Sequence, residues 1–340
     1  MDYEGRLMKF YTVIIICLFS LSCTGRNIAN SDDYYWLEDI KGEKATAWVD
    51  KENEETLAQF GSTANFKNTQ SSILDTYNSP HKLRRIKFIG DEVMWINQTE
   101  ENPKGILHAM TLEESKKANP KWRELVDFDE LSKKESKYLV LATVDCNPFN
   151  PKRCMLGLSI DGSDKEEFRE FDLSTDTFVK DGFYIPAVIA NLEWHDADSL
   201  IYTTTYNEKN LSTSGYSLTT KIIKRGQTLS DAKEVLSVDN GVDVIPSAFL
   251  SFGKSYSVIE HWLSNHEEDL YYVKGDKSLK LNTPTRMELS GVYKGLLNIL
   301  LLQDWEINGK KYKNGDLVGI DLSSVESKDG YKTELIFRPS

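Results

Sequence analysis

The stretch EEFREFDLSTDTFVKDGFYIPAVIANLEWHDADSLIYTTTY, residues 166–206, decides the fold class of this 340-residue chain. In it, short runs rich in Phe, Tyr, Ile and Thr alternate with turns rich in Asp and Gly, a pattern typical of antiparallel β-strands. The same pattern begins near Lys82 and continues to the end of the chain in runs such as KYLVLATV, RCMLGLSI and DLYYVKG. We therefore expect residues 82–340 to form an all-β region.

A weak unit recurs within this region at intervals of roughly 45–55 residues, the length of a four-stranded propeller blade. Each unit has an apolar strand, a tight Asp/Gly turn, a second strand rich in Tyr, Ile and Val, and a more polar pair. A β-sandwich needs only about 100 residues, whereas this pattern covers residues 82–340. The sequence therefore predicts an incomplete β-propeller of four-stranded blades, with an array of two sandwiches as the alternative.

The first residues have the features of an export signal. Arg6 and Lys9 precede the apolar run FYTVIIICLFSLSC, which is too short to span a bilayer as a helix. The run ends in SCTG, which resembles a bacterial lipoprotein box, with Cys23 as the acylated residue. We expect residues 1–23 to be a signal and Cys23 to anchor an exported, periplasmic or outer-membrane lipoprotein of a bacterium. The alternatives are an ordinary secretory signal or an unmodified cysteine.

A polar tether and a helical segment follow the signal. Residues 24–33 form the predicted tether, and residues 34–81 form the predicted N-terminal helical segment. Within that segment the pattern predicts a turn and then a helix from about Lys44 to Phe60, with Trp48 on a mildly apolar stripe.

Composition and motifs exclude several kinds of ligand. The chain has 53 acidic and 41 basic residues and a formal charge of −12, which repels phosphate backbones. We therefore predict no nucleic-acid partner. No cofactor motif is visible, and no set of Cys and His residues has the spacing of metal ligands, so we predict neither a cofactor nor a metal.

Two cysteines, Cys146 and Cys154, lie in the part of the chain predicted to be exported. They flank the turn sequence NPFNPKR between two strand-like runs, so their sulfurs could meet across the neck of a hairpin. A disulfide between them and two separately buried thiols are both compatible with the sequence.

Five segments of the chain resemble bacterial members of the prolyl oligopeptidase family and occur in that family's order. They span about residues 34–338 and read YYWLEDIKGEKATAWVDKENEETL, LSIDGSDKEEFREFDLSTDTFVKDGFYIP, LEWHDADSLIY, NLSTSGYSLTTKIIKRGQTLSDAKEV and DWEINGKKYKNGDLVGIDL. The resemblance implies a serine peptidase in which a propeller admits short proline-containing peptides to the active site of an α/β-hydrolase domain. It also implies that the last blades and the hydrolase domain are missing here, so a separately encoded hydrolase domain is an expected partner.

No catalytic residue is predicted in this chain. The nearest match to Gly-x-Ser-x-Gly is GYSLT, residues 215–219, which lacks the last glycine and lies between strand-like runs. We therefore interpret Ser217 as a blade residue and interpret the five histidines as structural or solvated. The alternative to a peptidase is a noncatalytic exported lipoprotein whose propeller binds peptides or proteins.

Two charged residues, Arg169 and Glu170, are weak candidates for the channel or the peptidase cleft. In a strand they would lie on opposite faces, with Phe171 on the face of Arg169. The favoured interpretation is that they form ion pairs between blades. Likewise, Trp194, Trp262 and Trp305 are interpreted as packing between blades rather than stacking on a ligand.

Overall fold

A computed structural model describes residues 32–39, 41–79, 86–327 and 330–340. The predicted signal, Cys23 and His81 lie outside these residues. The chain divides into two compact units, Met1–Lys82 and Leu83–Ser340. No helix among the described residues is both long and apolar enough to cross a membrane.

The first unit is helical. A 3-10 turn (Tyr35–Glu38) precedes helix α1 (Glu43–Thr56), which continues as a π-helical turn (Leu57–Gly61), and helix α2 (Ala64–Tyr77) follows. The ring of Trp48 lies 6.2 Å from that of Tyr34 and 6.1 Å from that of Trp36. Helix α1 and its π-helical continuation account for the helix predicted near Lys44, whereas α2 was not predicted.

The second unit begins with two antiparallel sheets. The first sheet contains β1 (Ile86–Ile89), β2 (Glu92–Asn97), β3 (Ile106–Thr111) and β4 (Arg123–Asp127), with helix α3 (Leu112–Ser115) between β3 and β4. Helix α4 (Phe128–Glu135) leads to the second sheet. That sheet contains β5 (Leu139–Cys146), β6 (Arg153–Ile160), β7 (Glu166–Asp172) and β8 (Thr177–Phe178), and β9 (Tyr184–Val188) also pairs with β7.

Three further four-stranded antiparallel sheets complete the described part of this unit. The third contains β10 (Ala190–Asp196), β11 (Ser199–Thr204), β12 (Thr219–Lys224) and β13 (Lys233–Ser237). The fourth contains β14 (Asp243–Ser251), β15 (Lys254–Ser264), β16 (Glu267–Lys274) and β17 (Lys277–Lys280). After β18 (Met287–Tyr293) and β19 (Leu296–Leu301) of the fifth, the hairpin of β20 (Trp305–Ile307) and β21 (Lys310–Tyr312) precedes its last strands, β22 (Leu317–Asp321) and β23 (Thr333–Phe337).

The apolar core lies between neighbouring sheets. Side chains of a strand alternate between its two faces, and in β11 this places Leu200 and Tyr202 in a cluster with the second sheet, while Ile201 packs against the fourth. Separate clusters join the first sheet to the second and the fourth to the fifth. Strands buried on both faces explain why the predicted runs are more continuously apolar than a half-exposed sheet requires.

Tight Asp-Gly and Asn-Gly turns join several strands, as the sequence predicts. Asp161 and Gly162 have φ angles of 54° and 69° in the turn between β6 and β7. Asn308 and Gly309, between β20 and β21, have φ angles of 50° and 74°. In the two-residue loop between β20 and β21, two successive positive φ angles match the twist of the flanking strands. The predicted all-β character and the four-stranded antiparallel organisation are confirmed.

Candidate functional site

An acidic cavity of about 190 Å³ lies among the first strands of the second, third and fourth sheets. Its carboxyl groups belong to Asp145 on β5, Glu166 on β7 and Glu193 on β10. Apolar side chains, including Ile245 on β14, form the rest of the wall. The first strands of successive sheets contact one another, β10 with β14 and β14 with β18. The cavity lies along this row of first strands, and we call it the axial cavity.

The carboxyl groups of the axial cavity hold their protons unusually tightly. Burial raises the pKa of Asp145 to about 6, although the nearby ammonium of Lys87 acts in the opposite direction. Burial and the negative charge of Asp145 together raise the pKa of Glu193 to about 8. Burial also raises the pKa of Glu166. At neutral pH Glu193 is therefore mostly protonated, and a cation placed beside it would favour its charged form.

Local packing fixes these groups in place. Trp194, next to Glu193 on β10, is buried in the core between the second and third sheets. Its Nε1 donates a hydrogen bond to the backbone oxygen of Asp145 at 3.2 Å. On β6, a Cβ atom at Gly157 would lie 2.0 Å from Oε2 of Glu166, so only glycine leaves room for that carboxyl group.

A second acidic cavity, of about 460 Å³, lies between the fourth and fifth sheets. It is lined by Glu260 and Trp262 on β15, Glu268 on β16 and Glu288 on β18. We call it the inter-sheet cavity. Burial raises the pKa of Glu268 to about 8, with further contributions from the negative charges of Glu260 and Glu288. Burial also raises the pKa of Glu260, although a 2.8 Å hydrogen bond from Ser247 Oγ counteracts part of this effect.

The structure places the two weak candidates in ion pairs, outside the residues that line the two acidic cavities. Arg169 donates to both carboxyl oxygens of Glu135 on α4, at 2.7 and 2.6 Å, and also pairs with Glu167. Glu170 is 1% exposed and accepts two hydrogen bonds from Arg225 of the third sheet, at 2.8 and 3.0 Å. Phe171 belongs to the core between the first and second sheets. The pair of Glu170 with Arg225 and the core position of Phe171 agree with the favoured interpretation, whereas Arg169 pairs with helix α4 and with its own strand rather than with a neighbouring sheet.

A second buried carboxylate joins the first and second sheets in a similar way, and sequence reasoning missed it. Glu92 accepts hydrogen bonds from Arg123 at 3.0 and 3.3 Å and from Lys152 at 2.6 Å. Burial alone would raise the pKa of Glu92, but these hydrogen bonds outweigh it and lower the pKa. Glu92, held by cations, therefore keeps its charge more readily than Glu193 and Glu268, whose pKa values are raised to about 8.

The two cysteines lie directly opposite each other. Cys146 on β5 pairs in register with Cys154 on β6, and the structure contains a disulfide between them. Cys154 is fully buried in the core between the first and second sheets. The bond joins the two strands at the hairpin that NPFNPKR forms.

Ser217 and His195 have structural partners. Ser217 is 4% exposed, donates to the backbone oxygen of Thr219 at 3.0 Å and accepts from its N–H at 3.2 Å. His195 Nδ1 lies 2.8 Å from Ser257 Oγ, but Ser257 is only 1% exposed and a substrate cannot reach it. That contact links the third and fourth sheets. Among the described residues, no three His, Cys, Asp or Glu side chains converge to hold a metal ion.

The three tryptophans differ in their surroundings. Trp194 and Trp305 are buried in clusters between neighbouring sheets, as interpreted from the sequence. Trp262 instead lines the inter-sheet cavity, and its Nε1 is buried without a hydrogen-bond partner among the described residues.

Sequence reasoning also missed the acidic cavities. The signal in the sequence is a single carboxylate within an apolar strand. NLEW contains Glu193, and VIEHW contains Glu260 and Trp262. A lone acid in such a run indicates either an exposed face or a buried carboxyl group, and only the packing of neighbouring sheets decides between them.

Comparison with known proteins identifies the fold. Residues 24–329 match the family described as "Prolyl oligopeptidase, N-terminal beta-propeller domain". The chain is 29% identical over 309 residues to "Uncharacterized peptidase y4nA" of Sinorhizobium fredii, which covers 87% of this chain and 42% of that protein. It is 24% identical over 359 residues to "Uncharacterized peptidase RP174" of Rickettsia prowazekii, covering 98% of this chain and 49% of that protein.

Solved structures show the same fold. The chain resembles a post-proline cleaving enzyme from Rickettsia typhi with a TM-score of 0.77 and 24% identity, over 90% of this chain and 47% of the other. It resembles oligopeptidase B from Leishmania major with a TM-score of 0.61 and 11% identity, over 84% and 44%. The sequence thus spans about half the length of the relatives it matches.

Proposed function

The chain belongs to the prolyl oligopeptidase family and spans its N-terminal propeller portion, and from that premise we propose that it gates the substrates of a serine endopeptidase. The proposed reaction is hydrolysis of short peptides after proline, with the catalytic triad supplied by an α/β-hydrolase domain outside this sequence. The observation that carries the proposal is the family match over residues 24–329, which covers the five sheets almost completely.

The physical role of such a region is control of access. Four-stranded sheets arranged around an axis leave only a narrow space between their first strands, and here that space is the axial cavity of about 190 Å³. A folded protein cannot enter a space of this size, whereas a flexible peptide can approach it. Selection by size therefore accompanies selection by the chemistry of the hydrolase domain.

The proposal includes an exported location and a lipid anchor. Its support is the apolar run FYTVIIICLFSLSC with the following SCTG, in which Cys23 would be acylated. The expected partners are short proline-containing peptides, the membrane through this anchor, and a hydrolase domain encoded either in the same chain or separately.

An immunoblot of membrane and soluble fractions from the native organism tests the proposal. The antibody is raised against residues 86–340. We expect a band whose size corresponds to roughly 300 residues more than this sequence of 38.8 kDa. A band near 38.8 kDa with which a hydrolase co-purifies is also an expected result. Material immunoprecipitated with the same antibody should cleave a proline-containing peptide, and a serine-directed inhibitor should stop the cleavage.

The opposite outcome is equally specific. A stable band near 38.8 kDa that binds no hydrolase and whose precipitate cleaves no proline-containing peptide would overturn the peptidase proposal. It would favour a noncatalytic, exported binding module instead. Release of the band by detergent but not by salt would support the lipid anchor, and a Cys23→Ala variant that stays in the membrane would contradict it.

A further inference from the structure

The inter-sheet cavity contains a buried carboxyl group that is not fully paired. Glu268 on β16 is only 7% exposed and lines the cavity. Its Oε2 accepts no hydrogen bond from any N–H or O–H donor among the described residues. Such an atom costs free energy unless a donor reaches it. Glu260 shares a hydrogen bond with Glu268, but a charged carboxylate has no proton to donate, so a ligand has to supply the donor when both groups are charged.

The surroundings of Glu268 favour a positively charged donor. Glu260 and Glu288 are close enough to raise the pKa of Glu268, and the carboxyl groups of Glu260 and Glu268 share a hydrogen bond. By contrast, the buried acids Glu92 and Glu170 of this unit are each held by arginine. Within the described chain, no salt bridge offsets the charge of Glu260 or Glu268.

On the same wall, the side chain of Trp262 has a hydrogen-bond donor without an acceptor in the described part of the chain. Nε1 of Trp262 is buried without a partner among the described residues, and Trp262 pairs in register with Glu268 across β15 and β16. The two side chains therefore lie on one face of the sheet. Beside them, Met287, Leu289 and Leu302 provide apolar surface. A suitable ligand thus combines a cationic donor with a nearby acceptor and some apolar surface.

A metal ion does not meet these requirements. Side chains of His, Cys, Asp and Glu in the described residues do not converge in a group of three suited to a metal. A metal ion would also leave Nε1 of Trp262 without an acceptor. A peptide supplies both the cationic donor and the acceptor, since an ammonium group donates three hydrogen bonds and a nearby carbonyl oxygen accepts one.

We propose that the inter-sheet cavity binds the primary ammonium group of a peptide, with Glu268 and Glu260 as its acceptors and Trp262 Nε1 as donor to a peptide carbonyl. The ammonium group belongs either to the N-terminus or to a lysine side chain. This inference rests on the function proposed above, because it names a feature of the peptides that the propeller admits. It concerns binding by this chain alone and needs no catalytic domain.

Binding of an ammonium group requires a change in protonation. Glu268 has a pKa of about 8 in the free protein, so it is mostly protonated at neutral pH. An adjacent cation stabilises the charged form and lowers that pKa. Binding should therefore release a proton. Among the titratable or charged groups around this carboxyl group, Glu260 and Glu288 shift its pKa, and His266, Glu267 and Arg286 also line the cavity.

Calorimetric titration of the full chain with three amidated tripeptides tests the inference. The first is Ala-Pro-Ala with a free amino group, the second is its N-acetyl form, and the third is N-acetylated Lys-Pro-Ala. The free-amino peptide, the lysine peptide or both should bind roughly tenfold tighter than the acetylated alanine peptide, because each adds a charge-assisted hydrogen bond. Comparison of the first and third distinguishes the two sources of the ammonium group.

Matched variants locate the site. Glu268→Gln should weaken ammonium binding by roughly tenfold, whereas Glu234→Gln, which removes an exposed carboxyl group on β13 away from both cavities, should leave it within about twofold. Wild-type protein titrated at neutral pH in two buffers of different protonation enthalpy should release close to one proton per peptide, and Glu268→Gln almost none. The proton measurement on the wild type stands even if the variant fails to fold.

Three results would overturn the inference. They are equal affinity for the acetylated and free peptides, equal weakening by the two substitutions, and binding without proton release. None of them bears on the size of the native protein or on cleavage after proline, so the proposed peptidase function can stand when this inference fails. If no cleavage is found but ammonium binding follows Glu268, the cavity is a peptide site in a noncatalytic module.

Discussion

At the scale of single residues, buried carboxyl groups of this chain fall into two classes. Glu92 and Glu170 are held by arginine and join neighbouring sheets. Asp145, Glu193 and Glu268 lie in cavities where burial raises the pKa of each. Because an unpaired buried charge is costly and a paired one much less so, the first class stabilises the fold while the second remains available to a ligand.

The raised pKa of Glu193 predicts that stability falls as pH rises. Its pKa is about 8 in the folded chain against an ordinary value of 4.5, so the folded state holds this proton more tightly than the unfolded state. The free energy of unfolding should therefore decrease between about pH 5 and about pH 8, by up to about 1.4 kcal/mol per pH unit for one proton. Urea denaturation followed by circular dichroism measures this slope. Glu193→Gln should flatten the slope and exposed Glu234→Gln should not, and equal slopes in all three proteins would refute the assignment.

The ion pair between Glu170 and Arg225 predicts a large effect of one substitution. Arg225→Met leaves a fully buried carboxylate with only the more distant Arg153, at 3.8 Å, as a cationic partner. We expect the free energy of unfolding to fall by roughly 3 kcal/mol. Lys311→Met, which breaks an exposed pair with Glu306, should cost less than about 1 kcal/mol. If the two variants are equally stable in urea, the buried pair contributes no more than a surface pair.

Sequence patterns predict the strand that carries such a residue, but they do not predict its partners in space. The pattern NLEW correctly indicates a strand around Glu193, because strand periodicity is local. It does not reveal that Asp145, far away in sequence, lies near enough to shift the pKa of Glu193. For Arg169 and Glu170, alternation gives the correct opposite faces, but their partners Glu135 and Arg225 come from a helix and a turn with no signal of pairing in the sequence.

At the scale of elements, apolar alternation predicts the strands better than the helices. Most strands of the five sheets coincide with a predicted run, whereas several strands, among them β4, β13, β17 and β18, were expected only as the polar part of a repeating unit and were not located. Helix α2 was also missed, since its residues include several weak helix formers, Asn, Thr and Ser. Its start is fixed instead by Thr63, whose side chain accepts a hydrogen bond from the N–H of Phe66 at 3.2 Å.

The hairpin of β5 and β6 predicts a measurable contribution from its disulfide. Cys146 and Cys154 are eight residues apart, and closing so short a loop should add roughly 2–3 kcal/mol to the free energy of unfolding by restricting the unfolded chain. Urea denaturation with and without dithiothreitol measures the difference. A Cys146→Ala/Cys154→Ala variant should not respond to the reductant. Both proteins are also compared without reductant. If the folded wild type then has two more reactive thiols than the variant, the cysteines are not bonded in solution.

At the scale of the propeller unit, the core consists of separate clusters between neighbouring sheets. One cluster joins the first and second sheets, and another, built on different residues, joins the fourth and fifth. When each unit packs only on its neighbours, stability is approximately a sum of local terms. Damage in one cluster should therefore loosen the adjacent sheets and leave distant sheets nearly unchanged.

Hydrogen exchange of two matched variants tests this locality. Leu297 lies in the cluster between the fourth and fifth sheets, Leu156 lies in the cluster between the first and second, and both are fully buried. Substitution of either leucine by Ala should lower the free energy of opening of the adjacent sheets by roughly 2–5 kcal/mol. Leu297→Ala should speed amide exchange in the fourth and fifth sheets, and Leu156→Ala should do so in the first and second. Equal acceleration across all five sheets in both variants would mean that the unit opens as a whole, and the acidic cavities could then not change independently of one another.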